Sequence, residues 1–184
     1  MKTMLLTTLT FLILGMVSCK NDSSTNINTP EDALKTMTAK EIVESGISIN
    51  VTIHELEDME RETVTRNGQE ECPLWAIPAY RAAHYRFVTH AKQDEKGILT
   101  WTAKCGADLN MSDDLFNFFA NDFKENNEFI QMNINKGIKC TPTWINEEYL
   151  NNILSDEFIT KRLKELEELK HQIESGEFIV LNKK

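Results

Sequence analysis

The stretch 82–105, AAHYRFVTHAKQDEKGILTWTAKC, decides how the rest of the chain is read. From Ala82 to Ala91 the side chains alternate, with Ala83, Tyr85 and Phe87 on one side and His84, Arg86 and His90 on the other. That period of two is the pattern of a half-buried strand. The polar run Gln93-Asp94-Glu95-Lys96-Gly97 reads as a loop, and beyond it Leu99, Trp101, Ala103 and Cys105 fall on one face. Two strands joined by a short charged tip make a hairpin, and a hairpin here commits the chain to an antiparallel sheet.

Upstream, Ile47, Ile49, Val51 and Ile53 alternate with Ser48, Asn50, Thr52 and His54, which predicts a second half-buried strand. Before it, Thr29-Pro30-Glu31-Asp32 opens a helix with a capping hydroxyl, a proline at the first helical position and acids in the first turn. That helix is expected to run to Ser45 and stop at Gly46. Asn67-Gly68 favours a turn between short strands at 61–66 and 69–75. Downstream, Ser112-Asp113-Asp114 caps a helix whose Leu115, Phe116, Phe119 and Phe123 fall at helical spacing, a cluster that reads as core. Residues 129–134 and 138–145 predict another hairpin, turned by Asn135-Lys136-Gly137. A single long helix is expected over 147–174, stopped by Gly176, with 178–181 as an edge strand. Strands and helices in this irregular order predict an α+β fold: an antiparallel β-sheet with helices packed on one face and a long C-terminal helix.

The N-terminus carries a different signal. Lys2 precedes an apolar run over 4–17, too short for a membrane span and of the length of a signal-peptide core. Met16, Val17, Ser18 and Cys19 follow, and this stretch resembles the lipobox of bacterial lipoproteins. The resemblance implies cleavage after residue 18, a lipid-attachment site at Cys19 and membrane anchoring through acyl chains, each buried CH2 contributing roughly 0.8 kcal/mol. Lys20-Asn21-Asp22 partly resembles the charged tag that some Bacteroidota lipoproteins carry for surface display. The expected organisation is a signal peptide over 1–18, a lipidated N-terminus and flexible tether over 19–29, and one domain over 30–184. The implied location is the cell envelope, on the periplasmic or surface face of an outer membrane.

The chain has 184 residues and a formal net charge of −9, which disfavours nucleic acid and anionic headgroups and suits a basic partner. Beyond Cys19 there are Cys72, Cys105 and Cys140, with no C-x-x-C among them. In an oxidising compartment two of them are expected to pair, and Cys105 with Cys140, each on a hairpin strand, are the disulfide candidates.

Catalytic sets are incomplete. His54-Glu55 begins like a zinc-protease helix, but Asp58 stands where the second histidine belongs. His84 and His90, six apart on one strand face, would sit about 20 Å from each other, too far to share an ion. There is neither a Gly-rich phosphate loop nor a G-x-S-x-G elbow, so no catalytic residue, metal or cofactor is assigned. Glu55, Glu57, Asp58, Glu60 and Glu62 form a dense acidic cluster, and with Asp94 and Glu95 at the hairpin tip they are the candidate contacts for a basic partner.

One enzyme-like likeness stands beside this. Trp101-Thr102-Ala103-Lys104-Cys105-Gly106-Ala107-Asp108 is similar to the W-A-x-W-C-G-P-C stretch of thioredoxin-like proteins, and Gly137-Ile138-Lys139-Cys140-Thr141-Pro142-Thr143-Trp144 looks like their proline loop. That resemblance implies thiol-redox chemistry at Cys105, but Asp108 occupies the place of the resolving thiol. The leading expectation is therefore a membrane-anchored envelope lipoprotein that binds or inhibits another protein without being an enzyme. An immunity protein against an exported toxin is one such module. A degenerate thioredoxin-like redox protein and a small-ligand-binding lipoprotein are the alternatives.

Overall fold

The computed structural model describes residues 30–59 and 72–175. The signal and tether expected over 1–29 including Cys19, the turn at Asn67-Gly68, the stop at Gly176 and the strand at 178–181 lie outside these described residues.

The first helical stretch is two helices, α1 (Pro30–Thr36) and α2 (Ala39–Ser45). Thr38 interrupts them because its hydroxyl accepts from the Glu41 N–H while the Glu41 carboxylate accepts from the Thr38 N–H at 2.8 Å. This reciprocal pair satisfies two of the donors a helix start leaves open. Gly46 ends α2 in the left-handed conformation, φ 67°, as its position suggested.

Residues 47–53 keep the expected alternation of sides: Ile49 and Val51 are buried, Ser48, Asn50 and Thr52 exposed. The ladder is missing. Ile49 forms only an isolated parallel bridge with Met111, and residues 53–59 turn into helix α3. The reason is local, since Thr52 and Glu55 form a second capping box, with the Glu55 carboxylate accepting from the Thr52 N–H at 2.7 Å. The Ile53 N–H is taken by Asp114 at 2.8 Å.

The larger correction concerns the stretch 82–91. Residues 82–89 are not a strand but most of helix α4 (Pro78–Thr89), preceded by a 3-10 turn at Leu74–Ala76. Pro78 sits at the helix start, where its missing N–H costs nothing. Ala79, Ala82, Ala83, Phe87 and Val88 are buried, so the packed face repeats at three and four residues and not at two. The hairpin survives as a short ribbon, β1 (Ala91–Gln93) against β2 (Leu99–Trp101), antiparallel with Ala91 opposite Trp101 and Gln93 opposite Leu99. Its Ala91, Trp101 and Leu99 face packs on the core, while Lys92 and Thr100 face solvent.

Helix α5 (Asp113–Asn135) begins as expected, with Ser112 accepting from the Leu115 N–H, and buries Leu115, Phe116, Phe119 and Phe123. It then continues through the region expected to be a hairpin. Ile130 and Asn133, three apart, stay on its buried face, and residues 138–146 follow without regular structure. The last expected helix is again two, α6 (Glu147–Leu154) and α7 (Asp156–Glu174), divided at Ser155, which ends one and caps the other by accepting from the Phe158 N–H. The result is an α+β domain, mostly helical, with a small antiparallel ribbon, helices against one face and a long C-terminal helix. Its centre is the packing of Phe87, Phe119, Ile42, Ile49, Leu56, Leu115 and Val88. Among the described residues no helix is long and apolar enough to cross a membrane.

Candidate functional site

Helix α4 is the hub. Its two buried arginines reach in opposite directions and satisfy carbonyls at the ends of other elements. Arg86 donates to the Ile42 carbonyl in the last turn of α2 (3.0 Å) and to the Asn110 carbonyl (2.7 Å). Arg81 donates to the Ile153 carbonyl in the last turn of α6 (3.1 Å) and pairs with Asp156 at the start of α7. A cation at a helix C-terminus and an acid at an N-terminus both oppose the local dipole charge, so each contact is favourable twice. Arg81 Nε is left without a hydrogen-bond partner.

Around Arg81 lies a cleft of about 220 Å³, lined by Trp75, His84, Tyr149, Asn152, Ile153, Phe158 and Ile159 as well. The 3-10 turn and α4 form one wall; α6 and the first turns of α7 form the other. His84 is held among rings: stacked on Phe119 at 5.3 Å between centroids, and edge-on to Tyr80 at 6.1 Å and Tyr149 at 6.2 Å. Burial among them pushes its pKa down to about 4. Burial pushes Tyr80 up to about 12, with Asp122 and Tyr149 adding to the rise, and raises Tyr149, with Asp122 again adding. At neutral pH the imidazole and both phenols are therefore uncharged. The Tyr149 hydroxyl lies 3.5 Å from His84 Nε2, the outer limit of a hydrogen bond. Such a site can hold a polar group; an imidazole of this basicity is a poor base near pH 7.

Sequence pattern misses most of this site. Alternation pairs His84 with His90 on a solvent-facing strand, whereas the helix sets a half-buried His84 ring among its aromatic neighbours and leaves His90 exposed at the C-terminus of α4, its Nδ1 2.8 Å from the Arg86 carbonyl. The signal is nevertheless present: Tyr80 and His84 are four apart and Arg81 and His84 three, the spacings that share a helix face.

The expected partner contacts are scattered. Glu55 is committed to the Thr52 capping box, which holds its pKa below the ordinary carboxylate value. Glu57 and Asp58 are exposed and lie 3.8 and 3.7 Å from the His54 ring. Glu60 and Glu62 lie outside the described residues. Asp94 accepts from the Lys96 and Ile98 N–H groups, both at 2.9 Å, and so builds the hairpin turn. Glu95 is exposed.

Cys105 and Cys140 are free thiols, so the expected bridge between them is not formed. The cause is the length of α5. Cys105 precedes Gly106, whose N–H donates to Asp113 at the helix start (2.8 Å), while Cys140 shares a groove with Asn126, Phe129, Ile130 and Asn133. From Asp113 to Asn126 the helix rises about 20 Å, against the roughly 7 Å limit between Cα atoms in a disulfide. The same helix carries Pro142 away from Cys105, where a thioredoxin-like site needs the two together. Comparison with known proteins finds no family model, no curated sequence and no solved structure that matches this chain.

Proposed function

We propose that the chain is an envelope lipoprotein, anchored through an acylated Cys19 and acting as a non-enzymatic module that binds or inhibits a basic protein, an exported toxin being one such partner. The observation that carries the binding half of this reading is the surface of α7. Past Ile159, every residue of the helix except Leu163 and Glu165 is exposed, and Leu166, Leu169 and Ile173 are among the exposed large apolar residues. These three recur at three and four residues and form one stripe. Glu167, Glu168 and Glu174 stand exposed on the same helix, as do Lys161, Arg162, Lys164 and Lys170. The apolar stripe suits a partner that presents apolar contacts, and the chain's overall charge of −9 steers a basic one in. Exposed Glu57, Asp58 and Glu95 add to that field.

The test compares the full chain with its Leu166→Glu/Leu169→Glu variant in pull-downs from envelope extracts. A basic protein retained by the first and lost from the second, with circular dichroism unchanged, is the expected outcome. Equal capture by both would remove α7 from the interface, and no capture by either would end the protein-binding reading.

A further inference from the structure

We infer that the cleft between α4, α6 and α7 is a binding site for a small uncharged aromatic molecule carrying one hydrogen-bonding group, of the phenol class. This goes beyond the protein-binding reading and does not depend on it.

Shape comes first. The cleft volume of about 220 Å³ exceeds the roughly 150 Å³ known to admit a benzene ring in a protein interior. Its walls are Trp75, Phe158 and Tyr149 with Ile153 and Ile159, a lining that favours a flat apolar body. Charge comes next. The guanidinium of Arg81 is opposed by Asp156 and the Ile153 carbonyl, and no other ionised group lines the cleft. With Asp156 already balancing the guanidinium, a ligand carboxylate would gain at most the buried Arg81 Nε–H as a donor and no unpaired counter-ion, and an ammonium would lie beside Arg81. A neutral ligand meets neither obstacle.

Orientation is set by the polar end. Tyr149 Oη and His84 Nε2 are 3.5 Å apart, too long for a strong mutual bond, so both retain capacity for a third partner. A ligand hydroxyl that bridges the pair from the cleft side donates to one and accepts from the other. Asn152 also lines the cleft and carries amide groups of both kinds.

The test is a two-dimensional NMR titration of the full chain with phenol, toluene and benzoate. Phenol is expected to bind with a dissociation constant of about 1 mM, a value fitting its few heavy atoms. The shifts should centre on the Trp75 indole, His84, Tyr149 and Ile153. Tyr149→Phe keeps the ring and removes the hydroxyl, so phenol should weaken about tenfold while toluene is unchanged. Asn152→Trp adds a large ring to the cleft lining and should abolish both while the remaining spectrum is preserved. Absence of shifts at millimolar phenol, shifts confined to another surface, equal phenol affinity in Tyr149→Phe, or benzoate binding more tightly than phenol would each overturn the inference.

Discussion

His84 should make the fold sensitive to acid. In the unfolded chain its imidazole takes up a proton near 6.5, and in the folded protein only near 4, because the surrounding rings replace water. A group whose folded pKa is depressed in this way leaves stability intact above the unfolded value. It removes stability as pH falls from about 6.5 to about 4, by at most about 3 kcal/mol. Urea unfolding of the wild type at pH 7 and pH 4.5 should show this loss, and His84→Phe, which keeps an aromatic ring in place, should show a smaller one. Equal losses in both would place the acid sensitivity elsewhere. The candidate site is poorly legible in the sequence for the same reason that His84 is interesting: a period of two puts it on a wet face, and the rings that bury it, Phe119, Phe123 and Tyr149, come from distant parts of the chain. Arg81 is equally hidden, since its partners at Ile153 and Asp156 belong to a helix junction that the sequence pattern runs together.

Among the elements, the ribbon shows how much a side chain can replace. Strands of three residues are too short to hold by themselves, yet the outer edge of β2 is closed by Asn127 of α5. Its amide accepts from the Leu99 N–H at 2.8 Å and donates to the Leu99 carbonyl at 2.7 Å, as a neighbouring strand would. Asn127→Ala leaves both backbone groups open in a partly buried place, and should lower stability by about 2 kcal/mol, read from chemical denaturation. Amide exchange at Leu99 should quicken more than exchange at Phe87 in α4. Helix boundaries are legible in the sequence where a residue acts within one turn of itself, as Ser112 does at the start of α5 and Gly46 at the end of α2. Element lengths are not. An alternating run such as 129–134 satisfies a strand template, but only Ile130 is both apolar and buried there, and a helix already nucleated at Ser112 continues through it. The split at Ser155 depends on a serine that caps α7, inside a pattern that is helical on both sides.

At the scale of the whole molecule, the proposed anchor at Cys19 has a test of its own. Cys19→Ser should move the protein from the membrane fraction to the soluble fraction and abolish labelling by palmitate, with the domain's circular dichroism unchanged. Retention of label would refute acylation at that residue. The two proposed binding places are joined more closely than their separation suggests. Body and C-terminal helix meet at Ser155, and Asp156 beside it is held by Arg81 from the floor of the cleft. Ile173 stands about 25 Å beyond Asp156 along a straight helix. A partner seated on that outer stretch has the leverage of a long arm over a short pivot, and the torque it exerts arrives at a guanidinium that a small guest in the cleft would also touch. Loading either place would bear on the same Arg81–Asp156 contact.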